Sequence, residues 1–168
     1  MKLTSVALFS SALIASASLS LGGVCAQTAS AQDFVNKVAI SDMFEIQSSE
    51  LALSKNPDAD TKPFADKMVA DHEKTSSELK ALVNSGKVKA TLPTDLDSEH
   101  LKMFEELKGK TGQDFDRSYD AMQVKGHREA VALFETYSRA GDNPALKSWA
   151  TVTLPHLKEH LAMAEKLK

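Results

Sequence analysis

Helical periodicity, with no strand pattern beside it, is the feature that most constrains the fold of this chain. From about Asp33 onward, apolar residues recur three and four positions apart, which is the spacing of one face of an α-helix. Seven Gly and five Pro among 168 residues leave few turns for a many-stranded sheet. The sequence therefore predicts an all-α domain.

Turn and capping residues divide this pattern into four long helices and one short one. The expected helices cover about residues 33–55, 61–85, 97–108, 113–139 and 144–168. Short loops join the first two and the last two, and the short helix lies in the longer crossover between these hairpins. This organisation predicts a four-helix bundle that forms one domain over residues 33–168.

The expected helix ends follow from particular residues. Pro57 ends the first helix, and Gly86 is a C-cap for the second. Thr111 and the acidic residue three positions later resemble a capping box, and Asn143 is an N-cap for the last helix. Pro155 is expected to kink the last helix or to split it in two.

The N-terminal segment has the pattern of a secretory signal peptide. Lys2 precedes an apolar, small-residue stretch over about residues 6–21, which is short and Ser/Ala-rich for a membrane span. Small residues then offer cleavage after Ala26, with a second site after Ala31. We therefore expect residues 1–26 to be removed, the mature chain to lack Cys25, and the protein to be periplasmic, secreted or envelope-associated.

Charge and composition exclude several classes of function. The net charge is −3, without the basic excess typical of nucleic-acid binding. One Cys excludes a disulfide framework and a multi-thiolate zinc site. The sequence contains no phosphate-binding loop, nucleophile elbow or H-E-x-x-H motif, and no second apolar segment that resembles a membrane span.

Polar residues on the apolar faces are the strongest functional signal. At about 100° per residue, Glu45, His72, His127 and His160 fall within the apolar stripes of four different helices. Their distances from the loops place them at similar heights, near the middle of the bundle. Three imidazoles and a carboxylate form a plausible ligand set for zinc, iron or copper.

Other interpretations of these four residues remain open. They could form a metal-free network in which Glu45 accepts hydrogen bonds from histidines and Tyr119, or they could lie apart. His100 is expected to be exposed, and His156 lies at the edge of the apolar stripe of its helix. Glu50 and Asp71 are expected to be surface charges rather than outer partners of a metal site.

Three segments together resemble one bacterial family of exported proteins. They are Phe64–His72 (F-A-x-x-M-V-x-D-H), Phe115–Tyr119 (F-D-x-x-Y) leading to His127, and Leu154–Leu161 (L-P-x-L-x-x-H-L). On these motifs the chain resembles the family named domain of unknown function 4142, often labelled predicted outer-membrane protein.

The resemblance implies a ferritin-like four-helix bundle in which His72, His127 and His160 recur and Glu45 matches a glutamate of the first helix. No Glu stands three residues before any His, as it does in di-iron ferritins, so a single-metal centre is expected. The favoured function is non-catalytic metal binding in the envelope. The alternatives are a metal-free envelope stress or interaction protein and a mononuclear metal-dependent enzyme.

Overall fold

Five α-helices make up most of the chain that the structure describes, residues 30–55 and 57–167. In this computed structural model they are α1 (Ala31–Ser54), α2 (Thr61–Asn84), α3 (Ser98–Lys108), α4 (Gly112–Ala140) and α5 (Pro144–Ala164). The predicted all-α fold, with a short helix in the crossover, is confirmed. The predicted signal peptide lies outside the described residues.

The helices pack as two hairpins that close into a bundle. α1 packs along α2, and α4 packs along α5. The bundle closes because α1 also contacts α4 and α2 contacts α5, while α3 packs across α1 and α4. No described helix has both the length and the hydropathy that crossing a bilayer requires.

Most of the expected helix boundaries are reproduced, with one exception. Asn143 caps α5 by accepting a hydrogen bond from the backbone N–H of Leu146 at 3.0 Å, and Gly86 ends α2 with a φ of +73°. The capping box at Thr111 is wrong, because its side chain makes no capping hydrogen bond. Thr111 is extended, as an N-cap usually is, and Gly112 follows it in the left-handed region with a φ of +55°.

Pro155 does not split the last helix. α5 runs without interruption from Pro144 to Ala164. Pro155 cannot donate to the carbonyl of Thr151, but both residues are exposed. That carbonyl therefore lies on the solvent side of the helix, where water can replace the missing donor.

Two hydrophobic clusters form the core. Along the long helices, a layer of buried polar residues separates one cluster from the other. One cluster contains Phe34, Val38, Leu79, Phe134, Leu146 and Trp149 among its members. The other contains Ala52, Phe64, Met68, Phe115, Tyr119 and Ala164. The intervening turns carry the buried polar residues Asp42, Glu45, Ser48, His72, Gln123, His127 and His160. The four residues that the sequence suggests as metal ligands, Glu45, His72, His127 and His160, therefore lie near mid-height in the bundle.

Candidate metal centre

Three imidazole rings from three helices meet in the polar layer. His72 of α2, His127 of α4 and His160 of α5 are 3%, 1% and 3% exposed. Their ring centroids are 5.4 to 5.7 Å apart. One ligand nitrogen from each ring lies within 4.8 Å of those of the other two. Burial and proximity on this scale make the three rings a candidate coordination site.

The outer nitrogen of His72 is held by a buried carboxylate. Nδ1 of His72 lies 2.8 Å from Oδ1 of Asp42, a residue of α1 that is 4% exposed. The other carboxylate oxygen of Asp42 accepts hydrogen bonds from the hydroxyls of Thr75, at 2.9 Å, and Ser76, at 3.2 Å. Asp42 is therefore fixed on both sides, and it sets the orientation of the His72 ring with the proton on Nδ1.

The other two rings have outer partners of the same kind. Nδ1 of His127 donates to the backbone carbonyl of Gln123 at 2.9 Å, one turn earlier in α4. Nε2 of His160 lies 2.8 Å from Oδ2 of Asp71, which joins α5 to α2. A carbonyl or a carboxylate on the outer nitrogen is the usual arrangement for a histidine that binds metal through its other nitrogen.

The inner nitrogens have no partner. Nε2 of His72, Nε2 of His127 and Nδ1 of His160 are buried without a hydrogen bond. Each outer nitrogen faces an acceptor and so carries a ring proton, and in a neutral ring the inner nitrogen then presents a lone pair. Three ring nitrogens without partners therefore face one another in a buried space, and as neutral imidazoles they present lone pairs that a cation can accept.

Glu45 of α1 lies next to this group but is not one of the three mutually close ligands. Its carboxylate is 2% exposed, and its Oε2 has no hydrogen-bond partner. A Cβ at Gly126 of α4 would stand 3.0 Å from Oε1 of Glu45. Glycine in mid-helix weakens the helix by about 1 kcal/mol relative to alanine, and here it leaves room for the carboxylate.

Burial and neighbouring charges act differently on the three rings. Burial lowers the pKa of His160 to about 4, despite the hydrogen bond to Asp71, and it also lowers the pKa of His127. Burial opposes protonation of His72 as well, but the hydrogen bond and charge of Asp42 raise its pKa. At neutral pH, His127 and His160 are therefore neutral and ready to coordinate.

The remaining sequence predictions have mixed outcomes. His156 is exposed, and Glu50 is an exposed charge. His100 is only partly exposed: its Nδ1 pairs with Asp97 at 2.7 Å, and its ring packs against Phe44. Asp71 is not an ordinary surface charge, because it holds His160.

The predicted metal-free network also has a different form in the structure. The Tyr119 hydroxyl pairs with Ser49 at 2.9 Å, so it does not serve Glu45. The side-chain hydrogen bonds of His72 and His127 go to Asp42 and to a backbone carbonyl rather than to Glu45. None of these hydrogen bonds therefore reaches Glu45.

Sequence reasoning missed Asp42 and Gln123. Both residues satisfy the test that found the histidines: at about 100° per residue, Asp42 lies about 80° from Phe34, and Gln123 lies about 80° from Phe115. The same helical arithmetic therefore identifies both residues as polar positions on apolar stripes.

The ligand set fits a divalent transition metal. Imidazole nitrogens suit zinc, copper, iron and nickel, and a carboxylate is a compatible fourth ligand. The donors come from nitrogen and oxygen, and no thiolate is part of the group. An ion at this point would link α2, α4 and α5, with Glu45 adding α1.

Comparison with known proteins supports the fold and identifies the family. A solved structure described as "CopM in the Cu(II)-bound form" superposes with a TM-score of 0.68. It is 18% identical, and the match covers 83% of this chain and 95% of that one. No curated protein matches the chain significantly. The family described as "Domain of unknown function (DUF4142)" matches residues 20–167, and the chain therefore belongs to that family.

Proposed function

We propose that this protein is an exported helical-bundle protein that binds one divalent metal ion through His72, His127 and His160, with Glu45 as the fourth ligand. The observation that carries the proposal is the set of three inner ring nitrogens, which are buried, mutually close and without partners. Their outer nitrogens are all engaged, so the rings cannot satisfy the inner ones by changing tautomer without losing existing hydrogen bonds.

The chemistry of the buried space favours a cation. The inner nitrogens of His72, His127 and His160 and Oε2 of Glu45 all lack a hydrogen-bond partner, and neutral imidazoles and a carboxylate offer only lone pairs there. Each unsatisfied buried polar group costs about 1–3 kcal/mol. A metal ion accepts all these lone pairs at once and offsets the cost of burying the Glu45 charge.

The donor set ranks the candidate metals. Affinity of nitrogen and oxygen ligands for divalent ions rises to a maximum at copper and falls again at zinc, and iron binds more weakly. The similar fold of CopM, described in a Cu(II)-bound form, is consistent with copper as the first candidate. Zinc and iron are the alternatives.

The proposed location is the periplasm or the cell envelope. It rests on the signal-peptide pattern of residues 1–26. In that compartment such a protein would buffer, store or sense the ion, or use it as a structural element.

Thermal denaturation of untagged, chelator-treated protein tests the proposal. Adding Cu²⁺, Zn²⁺ or Fe²⁺ at a hundredfold excess over Kd should stabilise the fold by about 2.7 kcal/mol and raise Tm by about 10 °C. His72→Ala and His127→Ala should abolish the response. The matched controls His100→Ala and His156→Ala should retain it, because both histidines lie outside the cluster.

Elemental analysis provides the second measurement. Protein purified from its natural compartment should contain one metal ion per chain. An unchanged Tm with Cu²⁺, Zn²⁺, Fe²⁺ and Mn²⁺, together with metal-free protein, would refute metal binding. The buried polar layer would then serve only to fix the register of the helices.

A further inference from the structure

A large cavity connects the surface of the bundle with the proposed metal centre. Its volume is about 830 Å³, and it lies between α1 and α4, with α3 contributing to its wall. Glu45 and His72 lie at its inner end, and the exposed residues Asp33, Glu99 and Glu129 line its outer part. Because both exposed and buried residues line the cavity, it leads from the surface towards Glu45 and His72.

The lining of this cavity is strongly acidic. Six carboxylates and two lysines line it. The carboxylates are those of Asp33, Asp42, Glu45, Asp97, Glu99 and Glu129. The carboxylates outnumber the lysines, although Lys125 pairs with Glu129 at 3.6 Å. An excess of one sign of charge between low-dielectric walls concentrates ions of the opposite sign and raises their association rate. The cavity therefore favours cations.

At its inner end the cavity reaches one side of the three-histidine cluster. Of the three clustered histidines, His72 lines the cavity, while His127 and His160 lie behind it. Glu45 also lines it. This residue is only 2% exposed, and its Oε2 atom has no hydrogen-bond partner. A cation that moves inward thus meets a free carboxylate oxygen at the inner end of its path.

We infer that metal ions enter and leave the three-histidine centre through this acidic cavity, with Glu45 as their first buried ligand. The inference rests on the proposed function. The exposed carboxylates concentrate the hydrated ion, Glu45 replaces part of its water, and the imidazoles then take up the remaining positions.

Stopped-flow loading with Co²⁺, followed by its d–d absorption, tests the role of the acidic lining. The triple variant Asp33→Asn, Glu99→Gln, Glu129→Gln removes three exposed charges from the cavity. It should load at least about threefold more slowly at low salt, and the difference should vanish at high salt.

A matched control carries the same change of charge outside the cavity. It combines Glu73→Gln, Glu106→Gln and Asp114→Asn, three exposed residues that do not line it. This control should load at close to the wild-type rate. Equal loading rates for the two triple variants would overturn the access route.

The Glu45→Gln variant tests the first buried ligand. It keeps the size of the side chain and removes its charge, and we expect loading to slow about tenfold or more, an effect that persists at high salt. Loading at the wild-type rate would overturn the role of Glu45. Wild-type protein that binds no Co²⁺ would instead refute the proposed metal site itself, so the two failures are distinguishable.

Discussion

Replacing His160 with glutamine should remove much of the acid sensitivity of the metal-free protein. Burial lowers the pKa of His160 from 6.5 to about 4. Between these two pH values the unfolded chain binds a proton at this position and the folded chain does not, so the free energy of unfolding falls as the pH falls. At about 1.4 kcal/mol per pH unit, the loss attributable to His160 reaches about 3 kcal/mol near pH 4.

The measurement is urea denaturation at several pH values from 7 to 4.5, in the presence of a chelator. The quantity of interest is the difference in pH dependence between wild type and His160→Gln, because the titrations of groups that do not contact His160 then cancel. One of these groups is Asp120. Burial and the charges of Asp58 and Asp116 raise its pKa to about 6, so its protonation increases the free energy of unfolding as the pH falls. The glutamine amide can still donate to Asp71, so the outer hydrogen bond is kept.

His156→Gln is the matched control, because it makes the same change one turn earlier on the same helix. His156 is exposed. This variant should follow the wild-type pH dependence, while His160→Gln should lose less stability on acidification. Parallel losses in wild type and His160→Gln would refute the conclusion that the fold holds His160 neutral.

Two further predictions concern residues that support the centre. Asp42→Asn removes the charged acceptor that holds His72, so metal affinity should fall about 10- to 100-fold in competition with a chelator, and an unchanged Kd would contradict this role. Gly126→Ala places a Cβ 3.0 Å from Oε1 of Glu45, so metal affinity should fall about tenfold, although alanine favours the helix by about 1 kcal/mol. In Gly109→Ala the new Cβ meets nothing closer than 3.7 Å, so its affinity should stay at the wild-type value, and equal affinities of the two glycine variants would argue against a positioning role for Gly126.

The sequence by itself determined the helices and the faces that they bury. Apolar periodicity and capping residues act over a few positions, so they can be recognised without knowledge of the fold. For the same reason Glu45, His72, His127 and His160 were recognisable as polar residues on apolar stripes, and all four are buried in the structure. The role of these side chains as metal ligands stays a prediction.

Only the tertiary structure decided which polar groups pair. Asp42 lies 30 residues before His72, and Asp71 lies 89 residues before His160. Each pair depends on the rotation and the height of two helices relative to each other, and an error of one residue in the register turns a side chain by about 100°. Packing sets these quantities over the whole bundle. It also set the distances among the three histidines and the gap between α1 and α4, which no local pattern of residues specifies.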